Sequence, residues 1–156
     1  MTSTEILEMI SQRNRLTVAV RGGVAEHHLA RVLAAEPGVA GVAPLDKDGQ
    51  HDFDVTMEDG RVVRVECKNC SPEPYSNGDI KVEVQKTRAT QGDPAGRFYR
   101  PDQFDILAAC LYGPTREWRF VYCTTDRMTR HLKHPDRLAP LHHVTSDWAG
   151  TLREAL

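Results

Sequence analysis

The sequence predicts an α/β (α+β) chain of helices and several strands. Three observations predict it. Helical periodicity dominates the N-terminal part. Two alternating runs, "HDFDVTM" and "RVVRVECK", meet at a Glu-Asp-Gly turn. Two near-continuous apolar runs, "FDILAACLYG" and "WRFVYCTT", then read as buried central strands.

The elements follow in order. "TEILEMISQ" predicts a helix over 4–12, capped by Ser3 or Thr4, with Ile6, Leu7, Met9 and Ile10 as its apolar side. "LTVAV" has no clear state, and Gly22-Gly23 reads as a flexible connection. "VAEHHLARVLAAE" repeats Ala25, Leu29, Val32 and Leu33 at helical spacing and stops at Pro37-Gly38. "VAGVAPL" reads as an edge strand. "DIKVEVQKT" reads as another strand, before a mixed loop, "RATQGDPAGRFYRPDQ". "TSDWAGTLREAL" closes the chain as a helix over 146–155, capped by Thr145 or Ser146.

The chain of 156 residues suits one domain, here 1–156, with a core over about 22–125 and the two terminal helices as additions. A net charge of −2 advertises no global affinity for nucleic acid, although a local basic groove would suffice. No apolar run approaches the roughly 20 residues of a membrane span. The polar N-terminus is not a signal peptide, so the expected compartment is the cytoplasm. Four cysteines do not make a disulfide scaffold there.

The hairpin carries the chemistry. Phe53, Val55 and Met57 alternate with Asp52, Asp54 and Thr56, and Val63, Val65 and Cys67 alternate with Arg64, Glu66 and Lys68. For the apolar sets to share a face, the loop must hold an odd number of residues. Glu58-Asp59-Gly60 is such a loop, with Gly60 in the left-handed position. Asp54, Glu66 and Lys68 then share the other face. That face is either the wet side of a hairpin or a site. Carboxylates within reach of each other repel unless a cation lies between them, and Mg²⁺ takes such hard oxygen ligands.

"DFDVTMEDGRVVRVECK" resembles the metal-binding hairpin of the PD-(D/E)xK nuclease superfamily, the restriction endonuclease-like fold of restriction, resolvase and intron-encoded homing endonucleases. Asp54 stands twelve residues before Glu66, with Cys67 and Lys68 following. Phe53 replaces the proline of the named motif, and Asp52 is a competing first acid. "VEVQKTR" and the following loop extend the resemblance, with Gln85 similar to a polar residue on the family's next strand and Glu26 to an acid on its preceding helix.

The resemblance implies a central mixed sheet of about four to five strands flanked by helices, and a DNA endonuclease that hydrolyses phosphodiester bonds. Asp54, Glu66 and the Cys67 carbonyl would hold Mg²⁺, with Mn²⁺ as a substitute. Lys68 would position or activate water, with Gln85 and Glu26 as further catalytic candidates. Lys81, Lys86, Arg88, Arg97 and Arg100 form a local basic surplus against Glu83 and Asp93, and are the candidate DNA contacts. Tyr99 joins them as a stacking candidate, although core anchoring of that loop is the plainer reading for Phe98 and Tyr99. Cleavage of both strands would favour a homodimer or a higher symmetric assembly.

Two other functions compete. One is a DNA-binding module of the same fold that does not cut. The other is a zinc or redox protein built on Cys67-Lys68-Asn69-Cys70. Cys110 and Cys123 supply no second pair for zinc, and Cys67 lies within a strand rather than at a helix start. His131, His134, His142 and His143 read as surface or packing histidines. His27 and His28 adjoin Glu26.

Overall fold

The computed structural model describes every residue except Thr90, with only the backbone of Ser3 and Leu7. Thr90 of the long loop, the Ser3 cap and the Leu7 contact therefore lie outside the described residues. Helix α1 spans Ser3–Ser11. Its cap is Thr2, not Thr4: the Thr2 hydroxyl accepts from the Glu5 N–H (3.2 Å), and the Glu5 carboxylate accepts from the Thr2 N–H (2.6 Å).

Helix α2 spans Asn14–Ala35 and runs through both "LTVAV" and Gly22-Gly23. The glycine pair is thus helix interior, not a connection. A Cβ on either glycine would meet nothing within 4 Å, so packing does not demand them. Each costs about 1 kcal/mol of helix propensity relative to alanine. Docking of Ala25, Leu29 and Leu33, all buried, offsets that cost.

Strands β1 (Val39–Pro44), β2 (Phe53–Met57), β3 (Val62–Asn69), β5 (Ile106–Cys110) and β6 (Phe120–Thr124) form one mixed sheet in the order β1-β2-β3-β5-β6. All neighbours are antiparallel except β3 and β5. A parallel pair needs a long crossover. The intervening segment supplies it and carries β4 (Ile80–Glu83), which pairs with β7 (Leu141–Val144) in a separate sheet of two strands. The short helix α3 (Tyr112–Thr115) joins β5 to β6. There Gly113 is required, because a Cβ would stand 2.5 Å from the Cys70 carbonyl oxygen.

Strand alternation divides the interior. Phe53, Val55, Val65, Cys67, Ile106 and Ala108 pack beneath α2 on one face. Leu107, Ala109 and Cys123 point the other way, against Val82, Val84, Phe104 and Leu138 of the crossover and the C-terminal part. The C-terminal helix, α4, is only Leu152–Ala155, capped by Thr151. Residues 145–151 instead form a turn, and Ala149 exchanges two 2.9 Å backbone bonds with Tyr122. The α4 N-terminus is further held by Glu36, whose carboxylate accepts from the N–H groups of Leu152 (3.2 Å) and Arg153 (2.9 Å). Among the described residues no helix is long and apolar enough to cross a membrane.

Candidate active site

The β2–β3 hairpin has the odd loop that its alternation requires. Thr56 pairs with Val62, the Met57 N–H donates to the Arg61 carbonyl (2.8 Å), and Gly60 turns with φ 87°. Phe53 and Val55 therefore oppose Val65 and Val63 on the α2 side. Asp54 opposes Arg64 on the other side, where Glu66 and Lys68 follow at the same parity.

Glu66 is 4% exposed, an unusual place for a carboxylate. It lies beside Leu107, under the crossover. Its Oε1 accepts from the Tyr99 hydroxyl at 2.7 Å, and Lys68 Nζ stands 3.4 Å from the same atom. Its Oε2 is buried without a partner. Burial, and then the charge of Asp52, push its carboxyl up to about 7.

Asp52, just before β2, turns back onto β3. Its Oδ2 accepts the Cys67 N–H at 2.8 Å, and its backbone N–H reaches the Val65 carbonyl at 3.1 Å. Burial raises its carboxyl as well. Glu26, on the α2 turn above, is raised by burial and by Asp52. Lys68 Nζ donates to the Gln85 carbonyl at 3.1 Å, so Gln85 contributes a backbone oxygen. Two ammonium groups stand over the Tyr99 ring, Lys68 at 5.3 Å and Lys86 at 5.6 Å from its centroid.

Asp54 belongs to a different group. It pairs with His51 Nε2 and is about a third exposed. Beside it, Arg64 makes a two-pronged contact with Asp105 (2.8 and 3.2 Å) and donates to the Asp102 carbonyl (2.8 Å). The acid whose charge Glu66 feels is Asp52. Asp52 thus feels Lys68 and acts on Glu66 and Glu26, Lys68 is bonded to Gln85, and Asp54 is paired with His51, whose charge also reaches Asp52.

The fold has a known likeness. A bacterial homing endonuclease of solved structure, I-Ssp6803I, superposes with a TM-score of 0.57 and 17% sequence identity, over 82% of this chain and 78% of that one. At that identity the likeness speaks to the fold. No protein-family model matches the chain, and no curated protein matches it in sequence.

The remaining candidates separate by position. Lys86, Arg97 and Arg100 surround Tyr99 along the 85–100 segment: the Lys86 N–H donates to the Arg97 carbonyl (2.9 Å), and Arg100 pairs with Asp102 (3.1 Å). Arg88 is exposed on the same loop. Lys81 lies elsewhere, on β4, over the Tyr75 ring. Tyr99 is an internal partner of Glu66, and Phe98 packs on His131 (4.4 Å between ring centroids). Cys67 and Cys70 fall into opposite interior faces, because an odd separation along extended chain alternates sides. Burial raises both thiols, Cys70 to about 12, so neither is a ready thiolate. His28 is stacked on Trp118 (4.3 Å).

Two features escaped sequence reasoning. Asp52 was visible as a second acid, but its backward turn was not. The Tyr99–Glu66 bond joins residues 33 apart, and no local pattern announces it.

Proposed function

We propose that this chain is a metal-dependent DNA endonuclease whose carboxylate pair is Asp52 and Glu66, with Lys68 beside them. One observation carries the reading. A buried glutamate has one oxygen fixed by Tyr99 and Lys68 and the other without a partner, and it feels the charge of a second, half-buried carboxylate, Asp52. Such a group is costly in a merely structural setting. The likeness of fold to a homing endonuclease supports the same reading.

The donor set fits a hard divalent cation. Asp52 and Glu66, with the Cys67 carbonyl, offer oxygen ligands. Among the described residues no group of three or more His, Cys, Asp or Glu is placed to hold a metal ion, so the side-chain donors are the two carboxylates alone. Mg²⁺ is commonly held by one or two carboxylates and completes its shell with water and phosphate oxygens. When bound, the ion supplies charge to the scissile phosphate and lowers the pKa of a water.

The chain's own groups do the rest. Tyr99 fixes one Glu66 oxygen and so aims the other. The Cys67 N–H holds one Asp52 oxygen and leaves its second. Lys68, fastened by the Gln85 carbonyl and Glu66, sets an ammonium against charge that develops on the phosphate. Lys86, Arg97, Arg100 and Arg88 bind backbone phosphates on either side. Cutting both strands would call for two sites, hence a symmetric homodimer.

Cleavage of single-stranded, duplex and branched DNA with Mg²⁺ tests this. We expect cleavage that EDTA abolishes, Mn²⁺ sustains and Lys68→Ala removes. No metal-dependent cleavage of any of the three would refute the proposal.

A further inference from the structure

Leu132 is 99% exposed. A lone surface leucine is ordinary, but this one is held out on a built finger. Residues 129–139 fold back on themselves: the Ala139 N–H donates to the Thr129 carbonyl and the His131 N–H to the Arg137 carbonyl, both at 2.8 Å. His131 closes the tip, its Nδ1 accepting from the N–H groups of Lys133 (3.1 Å) and His134 (3.2 Å). Leu132 therefore stands on an ordered turn, not on slack chain.

The finger is fastened to the site. His131 and His134 pack on Phe98, at 4.4 and 6.1 Å between ring centroids. Arg137 donates to the carbonyls of Ala95 (3.3 Å) and Phe98 (3.2 Å) and pairs with Asp93 (3.2 Å). The Leu138 N–H donates to the Tyr99 carbonyl at 2.8 Å, and Tyr99 is the residue that holds Glu66. The tip lies six residues from that contact. Extended chain covers about 3.3 Å per residue, so Leu132 lies within roughly 20 Å of the Tyr99 backbone. That is about six base-pair steps along a duplex. Lys133 follows Leu132 and Arg130 stands two residues before it, while Asp136, the acid near the tip, pairs with Arg137 (3.4 Å).

An apolar tip between cations suits one task on duplex DNA: the cations meet phosphates while the leucine enters and unstacks a base step. We propose that Leu132 is such a wedge, and that the substrate of the Asp52–Glu66 site is duplex DNA deformed beside the scissile phosphate. The location of the scissile phosphate rests on the nuclease reading; the wedge itself does not.

Permanganate oxidises unstacked thymines, so it reads the wedge without cleavage. In EDTA, the full chain is bound to a thymine-rich duplex and to the matching single strand. The wild type should create hyperreactive thymines within its duplex footprint. Leu132→Ala should abolish them and weaken duplex affinity about tenfold, with single-strand affinity unchanged. Leu132→Phe should restore both. Unstacking by Leu132→Ala equal to that of the wild type would overturn the wedge. So would binding to single strands alone, or sedimentation showing that Leu132→Ala merely dissociates a dimer. Unstacking without metal-dependent cleavage would leave the wedge standing and refute the nuclease. Cleavage with unaltered stacking would do the reverse.

Discussion

The β2–β3 hairpin presents two groups of charged residues of nearly the same composition. One holds His51, Asp54, Arg64 and Asp105; the other holds Asp52, Glu66 and Lys68 with Glu26 above. In the first, Asp54 pairs with His51 and Asp105 with Arg64, and both acids are more than a third exposed. In the second, Glu66 is buried with one oxygen lacking a partner, and it feels the charge of the half-buried Asp52. The first group is satisfied as it stands. The second leaves a buried carboxylate oxygen without a partner, and that is where the proposed cation would act. Composition alone does not make a site; unmet charge in low dielectric does.

The largest expected difference between the groups is in catalysis. Glu66→Gln or Lys68→Ala should lower the cleavage rate by roughly 10²–10³-fold or more, whereas Arg64→Ala should lower it less than about fivefold, since an exposed pair contributes little. Single-turnover rates on one substrate make the comparison. Equal losses would erase the distinction.

Stability against pH sharpens it next. Glu66 gives up its proton at about 7 in the fold but near the ordinary 4.5 when unfolded. Between these values the folded chain holds more protons, so its stability falls as pH rises. Asp52 and Glu26, raised by the same burial, act in the same direction. Urea unfolding in EDTA should show a loss on the order of 3 kcal/mol across that window. Glu66→Gln should flatten the profile and be the more stable protein at pH 8. A wild-type profile that rises with pH would contradict the assignment.

A smaller effect is expected at Tyr99. Removing its hydroxyl leaves Glu66 Oε1 with Lys68 alone, and one such bond is worth about 1 kcal/mol. Tyr99→Phe should slow cleavage about tenfold with duplex affinity nearly unchanged. A loss confined to affinity would make Tyr99 a DNA contact instead. Smallest of all, a double-mutant cycle between Arg64 and Asp105 should give about 1 kcal/mol or less of stability.

Much of this arrangement was legible in the sequence, for identifiable reasons. The hairpin register followed from alternation and from Gly60, both local. Strands β5 and β6 followed from runs whose burial shows in composition, while the mixed sheet that holds them was implied by the resemblance. Helix α2 was half legible: Leu29 and Leu33 announced it, while Gly22-Gly23 argued for a break that tertiary packing overrode. Strand β7 hid because "LHHV" is short and polar, and it forms only by pairing with β4. Within the site, Glu66 and Lys68 could be placed by parity. Parity could not choose between Asp52 and Asp54, because residues two apart share it. The choice depends on where the chain bends before β2, and on which acid finds His51 as a partner.

That choice is also the most direct test. The cleavage rate with Mg²⁺ should be measured for Asp52→Asn and Asp54→Asn side by side, with circular dichroism to confirm folding. Asp52→Asn should lose roughly 10²-fold or more, and Asp54→Asn should stay within about threefold of wild type. The opposite order, with Asp54→Asn inactive and Asp52→Asn active, would contradict the account.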